Sequence, residues 1–152
     1  MTDEQFYAKD WLNRMYQTVR YIESLERKRE VVLSSLSGIG RYDAENIPGG
    51  NGENSTETKN IEYSILSEQI DKERQKLSTE DIRTLNVIGK LENTPEGQLM
   101  KAILIDRYLT RMPWEKITEK QNYSSSRLFE LHAVALSKIY KYIPREAIVH
   151  ER

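Results

Sequence analysis

Residues 114–136 read WEKITEKQNYSSSRLFELHAVAL, and the spacing of their apolar positions decides how the C-terminal third is built. Trp114 and Ile117 lie three apart, while Leu128, Leu131, Ala135 and the later Ile139 recur at steps of three and four. Such steps place side chains on one face of a helix. Between the two sets, Gln121, Asn122 and Tyr123 have the chemistry of a turn, because asparagine tolerates the left-handed conformation. Ser124 is placed to cap the next helix. The expectation is a short helix ending near Lys120, a tight turn whose corner Tyr123 plugs, and a last helix to about Tyr142, stopped by Pro144. Thr118 is small where the two helices come closest. With the apolar set inward, Ser125, Ser126, Phe129, Glu130 and Ala133 face outward. Many helical domains share this spacing, so two helices packed on each other with no further partner also satisfy it.

Upstream, residues 93–97 (Asn-Thr-Pro-Glu-Gly) mark a helix start. Thr94 can cap, Pro95 suits the first helical position, and Glu96 complements the positive end of the helix dipole. A helix over 95–110 is expected, with Leu99, Ile103, Ile105, Tyr108 and Leu109 as its apolar side. Before it, residues 3–36 read as one long helix striped by Trp11, Met15, Val19, Ile22, Leu25, Val32 and Leu36. The charged cluster at 26–30 lies largely off the stripe, on a solvated face. Five of the seven glycines fall between Gly38 and Gly52, and residues 37–60 read as a flexible loop too poor in apolar groups to order itself. A second long helix is expected over 59–92, with a capping box at 78–81 able to split it. Two amphipathic helices joined by a loop should pair antiparallel, and such a coiled-coil-like hairpin can also meet its twin. The expected fold is all-α: a long antiparallel helical hairpin with its loop (1–94), a C-terminal helix-turn-helix (95–143) and a tail (144–152).

Composition agrees. Apolar residues are 38% and charged residues 31% of the chain, which suits long helices with one wet face. There is no cysteine, so disulfides and thiolate metal sites are excluded. No stretch approaches the ~20 apolar residues of a membrane span, and the N-terminus lacks the pattern of a signal peptide, so a cytoplasmic location and no membrane partner are expected. The net charge of −1 is unevenly spread. Through Thr94 there are 13 Lys/Arg against 17 Asp/Glu, whereas residues 107–141 hold 7 against 3. Positive charge thus gathers where phosphate binding would need it, though a solvated helical face can carry the same modest excess.

The stretch ILIDRYLTRMPWEKITEKQNYSSSRLFELHAVALSKI (103–139) resembles the helix-turn-helix of bacterial sigma factor region 4. It is more similar still to small phage-encoded regulators of the ArpU/RinA kind, which activate late phage genes. The resemblance rests on Arg107-Tyr108, Trp114 with Ile117, Tyr123-Ser124, Leu131-His132 and Ala135-Leu136, and covers about a quarter of the chain. It implies double-stranded DNA as partner inside a bacterial host, with RNA polymerase or a second copy meeting the hairpin. It also implies contacts from the start of the last helix: Ser125, Ser126, Arg127, Phe129 and Glu130, beside the capping Ser124. Here the sequence departs from the sigma pattern, whose tip carries more long charged side chains. Serines discriminate bases poorly, whereas Phe129 can touch a thymine methyl and Glu130 can accept from a cytosine amine. Arg127, the lone cation of that turn, serves either a phosphate or a carboxylate of its own domain. Arg111, Lys116 and Lys120 are the supporting phosphate contacts. His132 is either a polar residue facing backbone or phosphate or, as the preferred reading, a partly buried histidine packed against the preceding helix.

Catalysis finds little footing. The two histidines form no HExxH, and no nucleophile elbow or phosphate loop is present. The Gly-x-Gly at Gly38–Gly40 follows a helix, not the strand a nucleotide loop needs. No enzyme, metal or cofactor is expected. The competing expectation to DNA binding is a helical interaction module that holds polymerase or another protein without reading DNA.

Overall fold

A capping box begins the first helix. The Thr2 hydroxyl accepts the Gln5 N–H at 3.2 Å, and the Gln5 carboxamide oxygen accepts the Thr2 N–H at 2.9 Å. Two donors that every helix start leaves open are thereby satisfied. This helix, α1, spans Asp3–Leu12 in the computed structural model, which describes residues 1–36 and 51–145, with side chains from residue 56 in the second stretch. It is followed by α2 (Tyr16–Ser34), α3 (Asn51–Ile88), α4 (Pro95–Leu104), α5 (Trp114–Gln121) and α6 (Ser125–Ile139). A π-helical turn, Ile105–Leu109, prolongs α4, and a 3-10 turn, Tyr140–Tyr142, finishes α6. Among the described residues every element is helical and none is a strand. No helix among them is long and apolar enough to cross a membrane.

The single helix expected over 3–36 is therefore two. Residues 13–15, Asn-Arg-Met, contain neither glycine nor proline, so nothing local announces the break. Arg14 stabilises it. Its guanidinium donates to the Trp11 carbonyl at 2.9 Å, to the Glu80 carboxylate at 3.1 Å and to the Glu80 carbonyl at 2.9 Å. It also lies 3.9 Å from the centroid of the Trp11 ring. A carbonyl freed at the end of α1 is thus satisfied by a side chain that simultaneously ties α1 to α3.

α3 is unbroken for 38 residues, roughly 57 Å at the usual helical rise. It starts at Asn51, so the second part of the loop expected over 37–60 is helical instead; residues 37–50 lie outside the described residues. Once nucleated, a helix extends at little further cost through residues of middling propensity, and no proline stands in the way after Pro48. The capping box at 78–81 does not split α3 either. Glu80 is engaged by Arg14, and the Thr84 hydroxyl donates back to the Glu80 carbonyl at 3.1 Å, as a helix-interior threonine does. The helix ends at Ile88, short of the expected Glu92.

Contacts divide the chain into two units: Met1–Met15 with everything from Thr79 onward, and Tyr16–Ser78. This differs from a boundary at residue 94, because α1 and the end of α3 belong with the C-terminal helices. In the Tyr16–Ser78 unit, Glu26 pairs with Arg74, Lys28 with Glu62 at 3.4 Å, and Arg29 donates to Ser67 at 3.3 Å while facing the Tyr63 ring. Ser35 meets Lys59. From Glu26 with Arg74 to Ser35 with Lys59, contacts climb along α2 and just past it while descending α3, so the pair is antiparallel, as expected for a helical hairpin. Among the described residues, Ile22, Val32 and Ile70 are its buried apolar side chains.

In the other unit α6 is central. Its Leu128, Leu131, Ala135, Leu136 and Ile139 are buried in a cluster with Ala8, Trp11 and Leu12 of α1, Met100, Ile103 and Leu104 of α4, and Ile117 of α5. Val87 and Ile88 of α3, with Leu91 beyond its end, Tyr108 of the π turn and Ile143, complete it. α1 lies along α6, and the Gln5 amide donates to the Ala133 carbonyl at 3.0 Å and the Ser137 hydroxyl at 2.8 Å. The same glutamine therefore closes its own capping box and docks the helix it begins.

α4 starts as its sequence predicts, with the Thr94 hydroxyl accepting the Gly97 N–H at 3.0 Å and Pro95 in the first turn. Gly97 is required for space: a Cβ there would stand 2.1 Å from the Glu92 carbonyl oxygen. Gly97→Ala is expected to lower stability by about 1–3 kcal/mol, read as a lower denaturant midpoint at unchanged slope; an unaltered midpoint would refute this packing.

Candidate nucleic-acid interface

α5 ends where Asn122 turns left-handed, at φ 59° and ψ 40°, with its N–H on the Thr118 carbonyl at 3.0 Å. Two residues later the Ser124 hydroxyl accepts the Arg127 N–H at 3.2 Å and opens α6. Both features come from residue type, asparagine for the left-handed turn and serine for the cap. Ile117 and Leu128 are wholly buried at the junction, while Thr118 is half-buried and donates to the Trp114 carbonyl at 2.9 Å. Tyr123 does not plug the corner. It is 47% exposed, because Ile117 and Leu128 take the inward places. Ser125, Ser126, Phe129 and Glu130 face solvent as the periodicity predicts. Ala133 is only half exposed, since α1 lies against that part of α6.

Phe129 is held from behind. Its ring meets Trp114 edge-on with centroids 5.0 Å apart, and the Arg107 guanidinium lies 5.1 Å from the Trp114 centroid. Trp114 also meets His132 edge-on at 4.8 Å. His132 is buried, its Nε2 2.7 Å from the Tyr108 hydroxyl and its ring stacked on that tyrosine. Packing inside the unit, the preferred of its two readings, is what the structure has.

Burial, helped by the positive charges of Lys9 and Arg107, pushes the His132 pKa down to about 4. Burial pushes the Tyr108 phenol up to about 12. Both rings are therefore neutral near pH 7, with one proton in the hydrogen bond between them. A histidine whose folded pKa lies below its unfolded value of 6.5 binds fewer protons folded than unfolded across that interval. Stability is then full above about pH 6.5 and falls as pH drops toward 4, by about 3 kcal/mol. Urea unfolding at pH 7, 5.5 and 4 should show this slope, and His132→Gln should flatten it. An equal slope in the variant would assign the acid sensitivity to other groups.

The cations are less available than their number suggests. Arg127 donates Nη1 to Glu130 at 2.5 Å and Nη2 to Glu96 at 3.2 Å. Lys120 pairs with the buried Asp106 at 3.3 Å, which Gln121 also reaches. Arg111 has a left-handed backbone at φ 60° and donates to the Leu109 carbonyl at 2.8 Å, capping the end of the π turn. Lys116 alone of these four is exposed without an ion-pair or hydrogen-bond partner among the described residues. Of the two roles left open for Arg127, the carboxylate role is the one present here. Arg111 and Lys120, read from sequence as phosphate contacts, are likewise engaged within the unit. Among the described residues no group of His, Asp or Glu is placed to hold a metal ion.

No family model, curated protein or solved structure matches this chain. The surface has to be read from its own residues. Two of its participants escape a reading of spacing alone. Glu96 is a helix-start residue by sequence and reaches Arg127, 31 positions away. Tyr108 lies on another element, 24 positions before its hydrogen-bond partner His132.

Proposed function

We propose that this chain is a phage or prophage transcription regulator that binds double-stranded promoter DNA through α5 and α6, and activates late genes. The observation that carries this reading is the outward-facing start of α6. Ser124, Ser125, Ser126, Phe129 and Glu130 stand clear of the core on a helix buried along its other side. Placed in a major groove, that surface offers hydroxyls and helix-start N–H groups to phosphates, Phe129 to a thymine methyl and Glu130 to a cytosine amine. Lys116 supplies a phosphate contact from α5. The likeness of residues 103–139 to sigma region 4 and to ArpU/RinA-type regulators supports the same arrangement, with the α2–α3 hairpin left to meet RNA polymerase or a second copy.

The test is fluorescence anisotropy with duplexes from promoters beside the gene, across a salt series. Log affinity should fall linearly with log salt, with a shallow slope because few cations are free. Lys116→Ala should reduce that slope by about 1. Absence of salt-dependent binding to any such duplex would end this reading. The pairing of Arg127 and Lys120 with carboxylates of their own unit, beside an exposed phenyl ring, favours a second one. In it the same surface is a protein-docking face, and a pull-down would retain host polymerase after nuclease treatment.

A further inference from the structure

Arg127 is the only cation in the first turn of α6, and both its outer nitrogens are occupied. The two carboxylates differ in kind. Glu130 stands three residues on in the same helix and travels with Arg127 wherever α6 goes. Glu96 comes from the first turn of α4 and reaches across to Nη2. A carboxylate and a phosphate present the same thing to a guanidinium, two anionic oxygens that accept parallel N–H donors.

Accepting the DNA-binding reading above, we propose that Glu96 is a built-in competitor for phosphate at Arg127. It holds Nη2 in the free protein and yields it when the DNA backbone arrives. The neighbouring Lys120 shows by contrast why this pair is the one able to open. Lys120 is held by Asp106, whose side chain is 9% exposed, so removing the lysine would strand a buried carboxylate without its charged partner. The Glu96 side chain is 56% exposed and returns to water when released. An exposed pair of this sort is weak, so DNA can displace it, yet it takes a fraction of the affinity from every duplex. Because the contact is with backbone, that fraction is the same for specific and random sequences. Glu96 thereby sets how strongly the protein holds DNA without altering which DNA it prefers.

The test is a double-mutant cycle of the full chain, Glu96→Gln, Arg127→Ala and the two combined. Anisotropy is read on one promoter duplex and one random duplex, at salt low enough that all four proteins bind. Glu96→Gln should tighten binding about two- to fivefold on both duplexes, and should do nothing once Arg127 is alanine. An equal gain in both backgrounds would make Glu96 a mere background charge and overturn the proposal. So would no gain, or a loss, in a variant whose thermal midpoint matches the parent. If none of the proteins binds either duplex with salt dependence, the DNA-binding reading itself falls and takes the competitor with it. DNA binding with the wrong cycle removes the competitor alone.

Discussion

A fragment of residues 95–143, the helix-turn-helix delimited by sequence, is expected not to fold on its own. Its core is completed from outside that range, by Ala8, Trp11 and Leu12 and by Val87, Ile88 and Leu91. Removing them bares the inward face of α6, and each large side chain lost from such a core typically costs about 2–5 kcal/mol. A small domain has only about 5–15 kcal/mol in total. In the full chain, Trp11→Ala should cost about 3–5 kcal/mol by the same reasoning, and it also removes the ring that Arg14 covers. Circular dichroism with urea titration reads both. A fragment that unfolds cooperatively with near-native helicity would show that α1 and the end of α3 are accessories to this core.

On the proposed DNA-binding reading, Ser125→Glu with Ser126→Glu should weaken binding by at least about 100-fold, because like charges brought together at an interface cost several kcal/mol. Folding should not suffer. Both positions are exposed in the first turn of α6, where acidic side chains favour the helix dipole by a few tenths of a kcal/mol or more. Binding and stability therefore move in opposite directions, which a merely damaged fold would not produce. Affinity within a fewfold of the parent would remove the start of α6 from the proposed DNA-binding surface. Retained binding to polymerase in the same variant would separate the two functional readings.

What was legible in the sequence was local. The left-handed Asn122, the Ser124 cap, the Thr94–Pro95 start and the alternation of buried and exposed positions along α6 all depend on neighbours within one or two turns. The antiparallel pairing of α2 with α3 followed from two amphipathic stripes. The break at 13–15 did not follow, because its stabilising contacts include Glu80, 66 residues away. For the same reason α1 read as the front of a long helix, when its partner is α6. At the candidate interface the outward residues were legible and their electrostatics were not. Charge counting sees cations in a window, but not that Asp106 holds Lys120 or that Glu96 holds Arg127.

The docking of α1 on α6 also has a consequence in time. The unit built around α6 is discontinuous in the chain, with residues 16–78 inserted between its first fifteen residues and the rest. A ribosome adding about 5–20 residues per second makes Trp11 roughly 6–25 s before Ile139 exists to meet it. Over that interval Ala8, Trp11 and Leu12 have no core to enter, while the inserted hairpin, contiguous in sequence, can already close. Contacts of such long sequence separation form late and slow the folding of the whole. Ala8, Trp11 and Leu12 therefore stay uncovered on the nascent chain until Ile139 has been made, and α1 is where a chaperone would find it.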